Sequence, residues 1–357
     1  MKLLHVVGAR PNFPKLAPVH RAARAAGLEQ VVVHSGQHYD ESLSHAFFRD
    51  LGIPKPDINL GVGSASHAVQ TARVMSGLEP VLQEHRPDWL VVYGDVNSTM
   101  AAAIVAAKLG VKVAHVEAGL RSNDRTMPEE INRIVTDRLA NLLLTPSRGA
   151  SQTLRDEGEP EEEIAFVGNV MIDTLFYSLE AAKKSGFRKR LGVGDGEAVA
   201  VTLHRPSNVD VPERLVGIAR ALSAIARERR VIFPVHPRTR QRLDELSLDM
   251  GGVELLEPLA YPEMLDLVSG AHVVVTDSGG LQEETTALGV PCLTLRPNTE
   301  RPITITEGTN RLVGEPEELP DLVRGAARVE EEGKVRRPEG WDGCAGGRVV
   351  EALVARG

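Results

Sequence analysis

A chain of 357 residues is long enough for two or three domains, and its 42% hydrophobic content can supply ordinary globular cores. A net charge of −8 gives a mildly acidic surface without a basic stripe, which argues against nucleic acid as a partner. The longest apolar runs have strand length, far short of the roughly 20 residues of a membrane span; no charged-then-apolar leader opens the sequence; and the two cysteines, Cys292 and Cys344, cannot make a disulfide framework. A cytoplasmic protein with no membrane partner is expected.

Strand-like and helix-like segments then alternate. "KLLHVV" reads as a strand, followed by a helix from about Pro14 to Ala26, and "EQVVVHS" as the next strand. "DWLVVYGD" leads into "VNSTMAAAIVAAKLG", an Ala-rich helix that Gly110 ends as a C-cap does. "VKVAHVE", "NLLLTPS" and "EIAFVGN" continue the series. After the polar stretch "AAKKSGFRKRLGVGDGE" the pattern restarts with "AVAVTLHRP" and a helix from about Val211 to Arg229. "RVIFPVHP", "GVELLEP", "AHVVVTDSGG" and "VPCLTLRP" follow, and "GGRVVEALVAR" near the end reads as an amphipathic helix. Strand-length apolar runs separated by helices predict parallel sheets covered on both faces. The fold class is therefore α/β, with two doubly wound, Rossmann-like domains, residues 1–169 and 170–340. Polar groups collect at the predicted strand ends, where such folds bind ligands, so both domains are expected to aim chemistry at an interdomain cleft.

"VTDSGGLQEE" is the clearest phosphate signal. Gly279 and Gly280 allow close backbone approach as a helix begins, and free N–H groups with the helix dipole favour an anion. Glu284 lies about one turn into that helix, where a carboxylate can accept from two ribose hydroxyls. An ordinary strand–turn–helix with Ser278 as N-cap has the same pattern. "VVGARPNFPK" is a second strand-to-helix turn, distinct from the dinucleotide fingerprint. Arg10 can fork onto phosphate oxygens and Lys15 can neutralise a further charge, although basic pairs are commonly just solvated.

Three carboxylates stand out. Asp95 ends "VVYGD"; Asn97 or Ser98 can cap the next helix equally well, which frees Asp95. Glu117 ends the following strand. In "MPEEINR", Glu129 and Arg133 share a helix face at i,i+4, the usual spacing of a surface ion pair, while Glu130 points about 100° away. His204 and Arg205 end one strand of the second half and His236 ends the next, a pairing of histidines less easily set aside than a lone one. His38 has no partner at metal-binding spacing, so no metal is expected.

Taken in order, these motifs resemble the non-hydrolysing UDP-N-acetylglucosamine 2-epimerases nearly end to end. The resemblance is carried by "GARP…K" at 8–15, "SGQHYD" at 35–40, "YGDVNST" at 93–99, "HVEAGLRS" at 115–122, "PEEINR" at 128–133, "VGN…D" at 167–173, "LHR" at 203–205, "VHP" at 235–237, "DSGGLQEE" at 277–284 and "ERP" at 300–302. It implies a glycosyltransferase-B-like fold, a C-terminal helix of about 341–357 that joins the first domain, a homodimer, and reversible inversion at C2 of a UDP-sugar without a cofactor. C2 of UDP-N-acetylglucosamine is not next to a carbonyl, and no nicotinamide fingerprint offers transient oxidation. The remaining route is loss of UDP to give 2-acetamidoglucal, then re-addition with a proton on the other face. Two faces need two acid–base groups.

By motif matching, Asp95, Glu117, Glu129 and His204 are the catalytic candidates. Arg10, Lys15, Arg133, His236, Ser278, Gly279, Gly280, Glu284 and Arg301 match positions that hold the substrate and its UDP. Gln37, His38 and Arg73 fit the allosteric UDP-N-acetylglucosamine site of bacterial members, although Asp40 stands where a glutamine is often found. After "HR" the family often has x-Glu-Asn, whereas this chain has Pro206-Ser207-Asn208. "QHYD" also occurs in relatives that act on UDP-diacetamido-uronic acids. Epimerisation of such a sugar, or glycosyl transfer on the same fold, is the alternative.

Overall fold

The structure is a computed structural model that describes residues 1–9, 12–36, 52–328, 330–331 and 334–357. The chain divides into two compact units, Met1–Tyr177 with Glu339–Gly357, and Ser178–Pro338. Each is built on one parallel sheet, as the alternation of apolar runs predicts.

The first unit carries strands β1 (Lys2–Val7), β2 (Glu29–His34), β3 (Ile58–Asn59), β4 (Trp89–Tyr93), β5 (Lys112–Val116), β6 (Leu142–Thr145) and β7 (Ile164–Phe166). Its helices include α1 (Phe13–Ala25), α2 (His67–His85), α3 (Asn97–Leu109) and α4 (Pro128–Leu139). The sheet order is β3-β2-β1-β4-β5-β6-β7, with every pairing parallel. Successive strand residues go to opposite cores. Leu3, Val7, Val32, Val91 and Val116 join one apolar cluster, while Leu4, Val6, Val33, Val92 and Val113 join another. A strand buried on both faces has no polar alternation to display, which is why these segments read as unbroken apolar runs.

Strand order reverses between β1 and β4, and this is where open α/β sheets leave a crevice. The turn after β1 and the Gly94–Asp95 turn after β4 are therefore neighbours, although more than eighty residues apart in sequence. Helix α5 (Val170–Ser185) runs across the boundary between the units. The last helix, α9 (Ala345–Ala355), belongs to the first unit and packs on α1. Gly346 makes that packing close, since a Cβ there would lie 2.7 Å from the Pro18 carbonyl carbon. The Asp173 carboxylate on α5 accepts from the N–H groups of Ala345 and Gly346 at 3.1 and 2.7 Å, closing the helix start from outside its own sequence.

The second unit carries β8 (Ala198–Thr202), β9 (Arg230–Pro234), β10 (Glu254–Leu256), β11 (Val273–Thr276), β12 (Cys292–Thr294) and β13 (Asn310–Leu312). They lie in the order β10-β9-β8-β11-β12-β13, again all parallel. Among its helices are α6 (Pro237–Glu245), α7 (Tyr261–Ser269) and α8 (Gly279–Leu288). The reversal here falls between β8 and β11, so "LHR" and "DSGG" meet. A small antiparallel pair, Glu330–Glu331 with Lys334–Val335, follows. Among the described residues no helix is long and apolar enough to cross a membrane.

Candidate active site

In the first unit two of the predicted acids, Asp95 and Glu117, meet around one turn. Gly94 has φ +61°, a left-handed conformation that glycine adopts without strain. It also has no room for a side chain: a Cβ would lie 2.5 Å from Lys15 Nζ and 3.1 Å from Glu117 Oε2. Lys15, in the first turn of α1, is buried and ion-paired with Glu117. Glu117 itself has φ +78°, a region that costs a residue with a Cβ about 1–2 kcal/mol. Strain of this kind persists where the surroundings over-determine it, and here Glu117 and Ala118 N–H both donate to the Leu144 carbonyl, at 3.0 and 3.1 Å.

Asp95 follows Gly94 and points away from helix capping. The N-cap of α3 is Val96, not Asn97 or Ser98 as the sequence suggested, and it makes no side-chain cap bond. The Asp95 carboxylate instead forms an ion pair with Arg133 on α4. Its carbonyl accepts from Asn132 Nδ2 at 2.8 Å. Arg133 also corrects the expected i,i+4 pair. Its second carboxylate is Glu130, at 2.8 Å, three residues earlier. Glu130 is buried and accepts from the N–H groups of Ser122 and Asn123, both at 2.9 Å. Burial raises its pKa, but these backbone bonds and Arg133 outweigh burial and leave it below the ordinary value. Glu129 is left half-buried, its carboxylate without a hydrogen bond or ion pair to any described residue.

The second unit holds a separate pocket of about 330 Å³, lined by His204, His236, Tyr261, Ser278, Gly280 and Glu284 together with apolar side chains such as Leu259 and Met264. Asp277, fully buried, organises its floor. It accepts from His204 and Arg205 N–H at 3.1 and 2.9 Å and from Asn208 Nδ2 at 3.1 Å. His204 Nδ1 lies 2.9 Å from the same carboxylate, which directs its other ring nitrogen away from Asp277. Burial pushes the Asp277 carboxyl up, but His204 and the other donors outweigh it and set it below the ordinary value. His236 caps α6 through Nδ1, accepting from Arg238 N–H at 3.3 Å, and its ring centre is 6.1 Å from that of His204. Burial first, then His204 and Arg238, lower its pKa.

Ser278 occupies the N-cap position of α8, but its hydroxyl takes no helix N–H. The first N–H groups of α8 remain donors for an anion. Arg301, ion-paired with Glu283 and Glu300, lies against this turn: a Cβ on Gly279 would be 2.9 Å from Arg301 Nη1. Glu284 has one oxygen engaged by the Tyr261 hydroxyl at 2.9 Å. Burial raises its carboxyl to about 7, against the opposing hydrogen bond from Tyr261.

Structure thus assembles Asp95, Glu117, Lys15 and Arg133 in one cluster with Glu129 beside it in sequence, and His204, His236, Ser278, Gly279, Gly280, Glu284 and Arg301 in another. Arg73 on α2 donates to the Val62 carbonyl at 3.1 Å. Arg10, Gln37 and His38 lie outside the described residues. No group of three or more His, Cys, Asp or Glu among the described residues is placed to hold a metal ion. Sequence reasoning gave Asp277, Glu130 and Tyr261 no role. Asp277 carried a signal, as the carboxylate at the strand end of the glycine turn; Glu130 carried one in its i,i+3 spacing to Arg133; Tyr261 carried none.

The profile of the UDP-N-acetylglucosamine 2-epimerase family matches residues 20–354. The chain is 44% identical over 321 residues to a UDP-N-acetylglucosamine 2-epimerase homolog of Methanococcus maripaludis, covering 88% of this chain and 89% of the relative. It is 40% identical over 362 residues to a UDP-2,3-diacetamido-2,3-dideoxy-D-glucuronate 2-epimerase of Pseudomonas aeruginosa, covering 99% of each. Among solved structures, the Methanocaldococcus jannaschii UDP-GlcNAc 2-epimerase in complex with UDP-GlcNAc and UDP superposes with a TM-score of 0.87 at 40% identity, over 99% of this chain and all of that one. With both sheets, both strand-order reversals and the motifs at their ends in place, the chain belongs to the UDP-N-acetylglucosamine 2-epimerase family.

Proposed function

We propose that this enzyme interconverts UDP-N-acetylglucosamine and UDP-N-acetylmannosamine by eliminating UDP to 2-acetamidoglucal and adding it back. The observation that carries this reading is the acid cluster of the first unit. Asp95 with Arg133 and Glu117 with Lys15 are packed about Gly94, and Glu129 is left without a partner among the described residues. Such an arrangement supplies more than one proton-transfer group, as inversion at C2 requires, and a cation orients both Asp95 and Glu117. The second unit's role is to hold UDP. Helix N–H groups at Ser278–Gly280, His204 and Arg301 stabilise the charge that develops on the leaving pyrophosphate. His236 lines the same pocket. The reading carries a cytoplasmic homodimer with it, and light scattering of the purified chain checks the assembly.

In D₂O, proton NMR should show UDP-N-acetylmannosamine forming with deuterium at C2. Epimerisation that keeps the original C2 hydrogen would rule out elimination. A second sugar is supported by one observation: the Pseudomonas aeruginosa relative is as similar over the whole chain as the Methanocaldococcus jannaschii UDP-N-acetylglucosamine 2-epimerase, both at 40%. Assays with each UDP-sugar in the same preparation separate the two readings.

Glu284 gives this reading a pH signature. Its carboxylate accepts from ribose hydroxyls better than its acid form, and the ionised fraction rises through about pH 7. KM for UDP-N-acetylglucosamine, whose diphosphate diester has no titration there, should fall by up to about tenfold between pH 6 and 8, following the ionised fraction. Glu284→Gln should flatten that dependence. The stability sign is opposite: a carboxyl that binds its proton more tightly when folded makes stability fall as pH rises from the ordinary glutamate value to about 7.

A further inference from the structure

Near the end of β5 the ring of His115 is fully buried between two oxygen atoms. Its Nε2 is 2.8 Å from the Gly94 carbonyl oxygen, and its Nδ1 is 2.6 Å from Asp137 Oδ1. A carbonyl oxygen only accepts, so Nε2 carries a hydrogen. Nδ1 and the carboxylate oxygen, 2.6 Å apart, share a hydrogen across the pair. Asp137, on α4, is ionised for a physical reason. Burial pushes its carboxyl up, but the His115 ring and the Arg121 guanidinium more than offset that and hold it below the ordinary value. Its second oxygen accepts from Gly119 N–H at 3.2 Å and pairs with Arg121 at 2.7 Å. Arg121 is in turn forked onto Glu157 at 2.9 and 2.7 Å.

We propose that His115 is a positioning residue for the epimerisation: bonded at both ring nitrogens, it ties the Gly94–Asp95 turn to Asp137 and so fixes the direction from which Asp95 acts. The inference rests on the reading that Asp95 and Glu117 do the acid–base work. Gly94 and Gly119 both have left-handed backbones, with φ of +61° and +80°, and neither turn belongs to a regular ladder. The His115–Asp137 pair holds both, one through a carbonyl and the other through an N–H, and anchors them to the helix that bears Glu129 and Arg133. The charged groups around the ring are Asp137 from α4, Arg121 from the loop after β5, Glu157 beyond Arg121, and the pair beside Gly94 of Lys15 from α1 with Glu117 from the turn after β5. Without the ring, the Gly94 carbonyl and Asp137 would each lose a buried partner, and the turn would have no fixed alternative.

Nitrogen NMR on protein labelled with ¹⁵N-histidine tests this. His115→Gln identifies the ring signals of His115 among the 11 histidines. If that variant does not fold, a through-space contact with Gly94 identifies them instead. Each ring nitrogen of His115 should show its own hydrogen-bond partner, the Gly94 carbonyl at Nε2 and Asp137 at Nδ1. His115→Gln, which keeps one donor and loses the other, should lower kcat about 10- to 100-fold with KM changed by less than about threefold, the pattern of a misplaced reacting group. A ring nitrogen of His115 without its partner, or a folded variant with kcat within about twofold of the parent, overturns this proposal alone. Absence of C2 exchange in the unsubstituted protein overturns the parent reading as well, and is seen before any variant is made.

Discussion

Asp95→Asn, Glu117→Gln and Glu129→Gln are each expected to lower kcat by about 10²- to 10⁴-fold, the range for lost acid–base groups, while UDP affinity changes much less. The three differ in what else they disturb. Asp95→Asn leaves Arg133 with its other carboxylate, Glu130, so the fold should lose little. Glu117→Gln strands Lys15, a buried ammonium, and breaking a buried pair costs about 3–5 kcal/mol. Glu129→Gln removes no contact to a described residue and should leave the melting temperature unchanged. Stability should therefore fall in the order Glu117 first, Asp95 next and Glu129 hardly at all, while turnover collapses in all three. Steady-state kinetics with thermal melts on the same preparations measure both. Turnover within about twofold of the parent in all three would reduce the cluster to structural ion pairs.

Asp277→Ala is the other substitution with a large expected effect. It leaves the His204 and Arg205 N–H groups and the Asn208 amide without the buried acceptor that this residue supplies. Each unsatisfied buried donor costs about 1–3 kcal/mol, so a loss of about 3–5 kcal/mol is expected in urea unfolding. His204 also loses the carboxylate that orients it, so calorimetry should show UDP binding about 10- to 100-fold weaker, the cost of about one or two lost charge-assisted hydrogen bonds. Because the Asp277 pKa is depressed in the folded state, its contribution is present above the ordinary aspartate value and is lost as pH falls below it. Asp277→Asn should remove that part of the acid limb of the stability profile. UDP binding unchanged in both variants would show that Asp277 serves only the fold.

Which parts of this were legible in the sequence follows from the range of the interactions. Alternating apolar runs show strands buried on both faces, so the two parallel sheets could be read directly. The order of strands could not. That β1 lies beside β4, and β8 beside β11, depends on pairings across many tens of residues, and only those pairings turn separate motifs into two sites. Helix periodicity separated Glu129 from Glu130 by about 100° but did not say which of them faced inward. The loop carrying Ser122 and Asn123 decided that, by presenting two N–H groups to Glu130. The cap of α3 was misread for a related reason: Asn97 is drawn into hydrogen bonds with Gln70 and Asn132, on two other helices, and so is not available to cap.

The first unit is interrupted in sequence, and the second is not. The core beneath α1 includes Ala345, Val349, Val350 and Leu353 from the last helix. A ribosome therefore delivers the first 177 residues, then the whole of the second unit, and only then the segment that covers α1. At about 5–20 residues per second the interval is about 8–32 s. The second unit can close during that time, whereas the unit bearing the acids waits with an apolar helix face uncovered. Nascent chains stalled before residue 339 should thus be the form of this protein that most needs a chaperone, because the core beneath α1 is filled only once α9 has been made.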